Sequence, residues 1–203
     1  IAQAIARQRG AVIVPPYNDP LIVAGQGTVG REIAHGLAAQ GLRPDAVIVP
    51  CGGGGLIAGC AIALTAAFRR LRIYAAEPKG WDDTRRSLAL GKRVGPARPG
   101  APTLCDALLS PLPGEFTFPI NRRLLAGGLV ADDTAVLRAM GLAARHLKIV
   151  LEPGGAVALA VALSRRFEAR GRTVVVVASG GNVDPTLCRK ALRALDVESR
   201  RRH

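Results

Sequence analysis

The sequence predicts an α/β protein, a mainly parallel sheet with helices on both faces. Three observations carry that prediction. The β-branched runs are continuous rather than alternating, as strands buried on both faces require. Helical patterns separate the strands, as crossover connections demand. Two of the strands run straight into glycine-rich turns, PCGGGG (50–55) and SGGN (179–182), where ligands of open α/β sheets bind.

The elements follow in order. IAQAIARQRG (1–10) starts in helical periodicity without a capping residue and ends on Gly10. It reads as the back half of a helix, so the chain is expected to be the C-terminal part of something longer. Strands are expected at 11–14, 46–49, 72–77, 128–131 and 173–179, from runs such as AVIV and TVVVVAS. Helices are expected over 21–40, 55–70, 82–90, 133–148, 154–170 and 185–195. The Pro- and Gly-rich stretch 91–127 reads as irregular surface chain. No linker divides the sequence.

Hydrophobic residues make up 49% and charged residues 21%, which excludes a disordered chain. No apolar run reaches the roughly 20 residues of a membrane span. No signal peptide is recognisable, so a cytoplasmic location is expected and no membrane partner. The net charge of +13 raises the question of nucleic acid. All the Lys and Arg residues except Lys79, Lys92, Lys148 and Lys190 are arginine, scattered singly or as pairs such as Arg69-Arg70 and Arg165-Arg166, with a run only at Arg200 to Arg202. Aromatics are only 3%, too few for stacking platforms, so no nucleic-acid partner is expected. The four cysteines (Cys51, Cys60, Cys105, Cys188) show no zinc spacing and are expected as free thiols.

GQGTVG (25–30) matches the dinucleotide pattern GxGxxG. The acidic ribose ligand that should end the following strand is absent, for that strand ends in Pro50-Cys51-Gly52. The same residues can equally lie inside a helix capped by Asn18-Asp19 with Pro20 just inside its start. Both readings stay open on the residues alone.

The run VIVPCGGGGLIAG (47–59) has a stronger context: buried strand, four glycines, helix. The N-terminus of that helix offers unpaired amides and a positive dipole end, a natural phosphate nest. Leu56 stands where a nucleotide-binding P-loop carries lysine, which excludes the usual triphosphate–magnesium site. The alternative is glycine for close packing only. SGGNVD (179–184) ends a second strand and can form another wall of the same site, or be a turn with Asp184 as cap.

Taken together, AGQGT (24–28), PCGGGGLIAG (50–59), YAAEP (74–78), LCDALLSPLPGEFTFPI (104–120), LEPGGAVALA (151–160) and SGGNVD (179–184) resemble the threonine/serine dehydratase and serine racemase family. These are fold-type II pyridoxal-phosphate enzymes. The resemblance implies the large domain of that fold over 1–196, without its N-terminal part, followed by a basic tail, 197–203. It implies that the amides of Gly52, Gly53, Gly54, Gly55 and Leu56 hold the cofactor phosphate. Ser179 then faces the pyridine nitrogen, and Glu152 lies near the ring. Glu77, Asp83 and the carbonyl of Trp81 match the family's divalent-cation site, suited to Mg²⁺ or Ca²⁺. Without the resemblance, Asp82-Asp83 reads as a helix cap.

The departures matter as much. The family's Schiff-base lysine and its substrate-carboxylate loop have no match in these 203 residues. Ala107 stands where many members have glycine. The expected parent activity is β-elimination of water from a small hydroxy amino acid, with racemisation as the alternative. The expected partners are an amino-acid substrate, the N-terminal part of the same enzyme and, at full length, a second copy in a homodimer. The chain alone is expected to be inactive, with no catalytic residue of its own.

Overall fold

The computed structural model describes residues 1–164 and 167–200, with side chains through 195. Four parallel strands form one sheet: β1 (Ala46–Pro50), β2 (Arg72–Pro78), β3 (Gly127–Ala131) and β4 (Val174–Val176), in the spatial order β3-β2-β1-β4. The register sets Ile48 beside Tyr74 on one side and Val176 on the other. The chain first steps from β1 outward to β2 and β3, then crosses back to place β4 on the opposite flank. The β1/β4 boundary is therefore the topological switch point, where the carboxyl ends of strands leave a crevice.

Helices cover both faces, as the sequence predicts. Val47, Val49, Ile73 and Ala75 face α3 (Gly55–Ala67), with Ile57 and Leu64 buried against them and Val29 and Ile33 of α2 (Pro20–Ala39) behind. Ile48 and Ala76 face the other way, toward α6 (Asp133–Leu142), α7 (Pro153–Ala162) and α8 (Pro185–Arg200). Every residue of β1 is buried. Each fully buried Val or Ile contributes about 1.5–3 kcal/mol, so β1 is the strand the core is built around.

Several boundaries differ from the sequence reading. Residues 11–14 are not a strand; Val12 and Val14 stand exposed and pair with nothing among the described residues. β-branched composition favours a strand only where an edge accepts it. The helix expected to reach 148 gives way at Ala143–Leu147 to a π turn, closed by Lys148 in the left-handed region. The helix expected to reach 170 stops at Ala162. The stretch expected to be irregular follows α4 (Asp83–Leu90) and contains a further helix, α5 (Thr117–Leu124). The short α1 (Ala2–Arg9) ends on Gly10 in the left-handed conformation, as expected. Of the expected tail, 197–200 continue the backbone of α8, and 201–203 lie outside the described residues, as do Arg165-Arg166. Among the described residues no helix is long and apolar enough to cross a membrane.

The GQGTVG run lies in the middle of α2, which Asp19 caps through the amides of Leu21 (2.8 Å) and Ile22 (3.1 Å). It cannot form the strand-to-helix turn of a dinucleotide site. Gly27 and Gly30 serve a helix crossing instead. A Cβ on Gly27 would lie 3.3 Å from the Gly59 carbonyl, and one on Gly30 2.8 Å from that of Cys60. A Cβ on Gly59 would clash with the Val23 carbonyl and lie 2.5 Å from the Gly27 amide. Gly25 and Gly36, on the same helix, meet nothing. Gly59→Ala should therefore cost about 1–3 kcal/mol in urea unfolding. Gly25→Ala and Gly36→Ala should each stabilise by about 0.4–1 kcal/mol.

Candidate functional site

The tetraglycine loop leaves the carboxyl end of β1 and starts α3. Each of its four side-chain positions is already taken by another part of the chain. A Cβ on Gly52 would lie 3.3 Å from Leu108 Cα and 3.4 Å from the Ser110 hydroxyl. One on Gly53 would fall into the Tyr17 ring, and one on Gly55 2.9 Å from Tyr17 Cβ. Gly54 has φ +89°, which glycine alone adopts without strain, and its Cβ would meet the Asn121 amide at 2.6 Å.

The carbonyls of the loop are tied down from the same directions. The Thr117 hydroxyl donates to Gly53 O at 2.7 Å, joined by the Gly114 amide at 3.2 Å. Asn121 Nδ2 donates to Gly54 O at 3.2 Å. The amides of Gly52, Gly53, Gly54, Gly55 and Leu56 have no acceptor among the described residues. A loop with anchored acceptors and unpaired donors at a helix N-terminus suits an anion. These residues fit the phosphate group expected of them.

The second wall leaves β4 at the same level, because Ile48 pairs with Val176 and Gly52 and Gly180 each follow four residues later. The Glu152 amide donates to Gly180 O at 3.0 Å. A Cβ on Gly180 would lie 2.7 Å from the Glu152 carboxyl carbon, and one on Gly155 2.5 Å from Gly180 O. Glu152 thus lies directly over the turn that carries Ser179, whose side chain is exposed. Residues 107–108 bridge the two walls: Leu108 approaches Gly52, and Ala107 Cβ would stand 3.5 Å from a Cβ on Gly154. Asp184 is a cap, accepting from the Thr186 amide at 2.6 Å.

One strand over, Glu77 at the end of β2 is fully buried. Its oxygens accept the amides of Thr84 (2.7 Å) and Arg85 (2.8 Å). Glu77, not Asp82 or Asp83, caps α4; Asp82 is bound to Arg85. Asp83 is equally buried, and both its carboxylate oxygens lack any hydrogen-bond partner. Burial pushes the Asp83 carboxyl up from 3.8 to about 7, with the charge of Asp82 adding. Burial also pushes Glu77 well up, with Asp83 adding. Two buried carboxylates, one with both oxygens orphaned, fit a divalent cation, which would offset both penalties. Trp81, third of the expected set, sits in the same turn, its indole donating to Ala101 O at 2.8 Å. The link to the glycine loop is Cys51, whose sulfur lies 3.4 Å from the Thr84 hydroxyl.

The four lysines are all exposed. A cavity of about 1020 Å³ lies elsewhere, along β3, bordered by Lys79, Arg85 and Arg98. It contains none of the loop amides, so the candidate site is the β1/β4 crevice. Sequence reasoning missed Tyr17, Thr117 and Asn121; the only available hint was their polar or aromatic character within otherwise turn-like segments.

Against known proteins, residues 1–180 match the family model described as "Pyridoxal-phosphate dependent enzyme". The chain is 39% identical over 189 residues to a serine racemase of Oryza sativa subsp. indica, covering 91% of this chain and 54% of that protein. It is 39% identical over 180 residues to an L-threonine ammonia-lyase of Geobacter sulfurreducens, covering 87% and 42%. A solved structure of maize serine racemase superimposes with a TM-score of 0.81 at 37% identity, covering 97% of this chain and 60% of that one. The chain spans about half the length of the curated relatives it matches.

Glu77→Gln keeps the shape of the α4 cap but sets an NH₂ against one of the two amides. It should cost about 1–3 kcal/mol, read from urea unfolding in the absence of divalent cation.

Proposed function

The chain belongs to the pyridoxal-phosphate dependent enzyme family, and on that premise we propose that it is part of an enzyme eliminating water from a small hydroxy amino acid to give a 2-oxo acid and ammonia. The observation that carries this reading is the glycine loop with its carbonyls anchored and its amides open. Those amides, from Gly52 to Leu56, hold the cofactor phosphate. Ser179 offers the pyridine nitrogen a neutral hydroxyl, which leaves that nitrogen uncharged, and Glu152 flanks the ring. When bound, pyridoxal phosphate supplies the sink for the electron pair left as the α-proton departs. A neutral partner at the nitrogen makes that sink weaker, which favours loss of a β-hydroxyl. Serine racemisation, the activity named for the rice relative, shares the α-proton removal and would use the same cradle.

Glu77, Asp83 and the Trp81 carbonyl form the proposed Mg²⁺ or Ca²⁺ site. Each Glu77 oxygen keeps a second lone pair beyond the one its amide uses. The 203 residues contain no lysine in the family's Schiff-base setting, so by themselves they bind cofactor without turnover. The parent works as a homodimer in the cytoplasm, on an amino acid alone.

Calorimetric titration should show the chain binding pyridoxal phosphate, with inorganic phosphate competing and no ammonia released from threonine or serine. Gly54→Ala, strained at φ +89° and crowded by Asn121, should weaken that binding by about tenfold or more. Binding of NADH with no response to pyridoxal phosphate would overturn the reading.

The cation site gives a second check. Raised carboxyl pKa values favour the folded state at low pH and cost stability as pH climbs from 3.8 through about 7. The unfolding midpoint should therefore fall across that window without metal. Added Mg²⁺ or Ca²⁺ should restore it, increasingly as pH passes about 7 and the proton no longer competes. Asp83→Asn should remove the metal response and reduce the pH-dependent loss, leaving the part that burial of Glu77 carries.

A further inference from the structure

The tetraglycine loop has two sides. One presents its amides; the other, where side chains would stand, is covered in large part by a single aromatic residue. A Cβ on Gly53 would clash with Tyr17 Cγ, Cδ2 and Cε2 together. One on Gly55 would lie 2.9 Å from Tyr17 Cβ and 3.0 Å from its Cα. One on Gly114, whose amide bonds Gly53 O, would come within 3.1 Å of Tyr17 Cδ2. The ring therefore occupies the space vacated by Gly53 and touches Gly114, which anchors the Gly53 carbonyl, while Cβ and the backbone of Tyr17 lie against Gly55.

Tyr17 is itself held by the two residues that follow it. Asn18 accepts the Phe116 amide at 2.8 Å, tying the segment to the one that carries Thr117. The next residue, Asp19, caps α2. The one aromatic of the segment 11–19 is thus fixed against the loop by hydrogen bonds to two different elements. Nothing about this arrangement requires the phenol oxygen: every close approach is to Tyr17 carbon atoms or its own carbonyl.

We infer that Tyr17 is a positioning residue of the phosphate cradle: its ring presses the glycine loop from behind and keeps the amides of Gly53 to Leu56 convergent. This rests on the loop being the phosphate site. A glycine run without such backing would sample many backbone states, and ordering it would weaken ligand affinity. The ring removes that freedom before the ligand arrives. Gly53 is consequently glycine for the sake of the Tyr17 ring, Gly55 for the backbone and Cβ of the same residue, and Gly54 for its backbone angle.

The test compares pyridoxal phosphate with pyridoxal, which lacks the phosphate, together with inorganic phosphate, on the 203-residue chain by calorimetry. Tyr17→Ala should lower affinity for pyridoxal phosphate and inorganic phosphate by about tenfold, as expected for one weakened charge-assisted contact. Affinity for pyridoxal should stay unchanged. Tyr17→Phe, which keeps the ring, should bind all three as the unaltered chain does. Should the alanine variant not fold, Tyr17→Leu gives the same comparison with bulk but no flat ring. Equal loss for pyridoxal and pyridoxal phosphate would make Tyr17 a merely structural residue and overturn the inference. So would undiminished phosphate binding in the alanine or leucine variant. An unaltered chain that binds neither pyridoxal phosphate nor phosphate would overturn the phosphate-site reading along with it.

Discussion

The arrangement depends on one steric constraint: between Cys51 and Leu56 there is no room for a side chain. Tyr17 stands behind Gly53 and Gly55, Asn121 beside Gly54, and Leu108 with Ser110 beside Gly52. Four glycines in a row carry a large entropic cost, and here each is matched by a neighbour that fills its vacancy. The contacts come from segments distant in sequence, 15–19 and 107–121, so closing the loop also fixes where those segments run. The stretch that composition marks as irregular is thereby the support of the site. Its α5 exists to present Thr117 and Asn121 to the loop carbonyls.

The neighbouring strand end solves a different problem. Glu77 and Asp83 are both out of water, and only Glu77 has protein donors. An unpaired buried carboxyl is tolerated in a fold when it takes up a proton or when a compensating charge is supplied. The Cys51–Thr84 contact joins this pair to the glycine loop at the adjoining ends of β1 and β2. Parallel strands set side by side place the two sites next to each other without any further device.

Much of this was legible in the residues. The strand–glycine–helix order at 46–67, the alternation that gives a parallel sheet, and the capping of α2 by Asp19 all follow from local rules, and the structure bears them out. The exclusion of a dinucleotide turn at GQGTVG was open in the sequence and is decided by its place inside α2. What local rules could not show was long-range. The run at 11–14 has strand composition but no edge to join, and it stays exposed. The cap of α4 comes from Glu77, seven residues before the amide it accepts, in another element. Tyr17 meets Gly53 across the whole of α2 and β1, and nothing in its neighbourhood betrays the contact. Residues that act through packing leave no spacing motif.

Cys51 sits at the joint of these two sites, and its surroundings decide its chemical durability. Thiols react with oxidants and electrophiles as thiolates, and cradles built of open amides normally favour the thiolate by their positive field. Here burial pushes the Cys51 thiol well up, and the carboxylates of Glu77 and Asp83 push it further. The residue is 1% exposed, and its sulfur keeps its proton in local hydrogen bonding. The thiol at this joint is thus held protonated chiefly by burial, with the neighbouring carboxylates adding to it. The corollary concerns reactivity: a thiol that is out of solvent and holds its proton is a poor nucleophile toward oxidants and disulfides, even at the most crowded point of the loop.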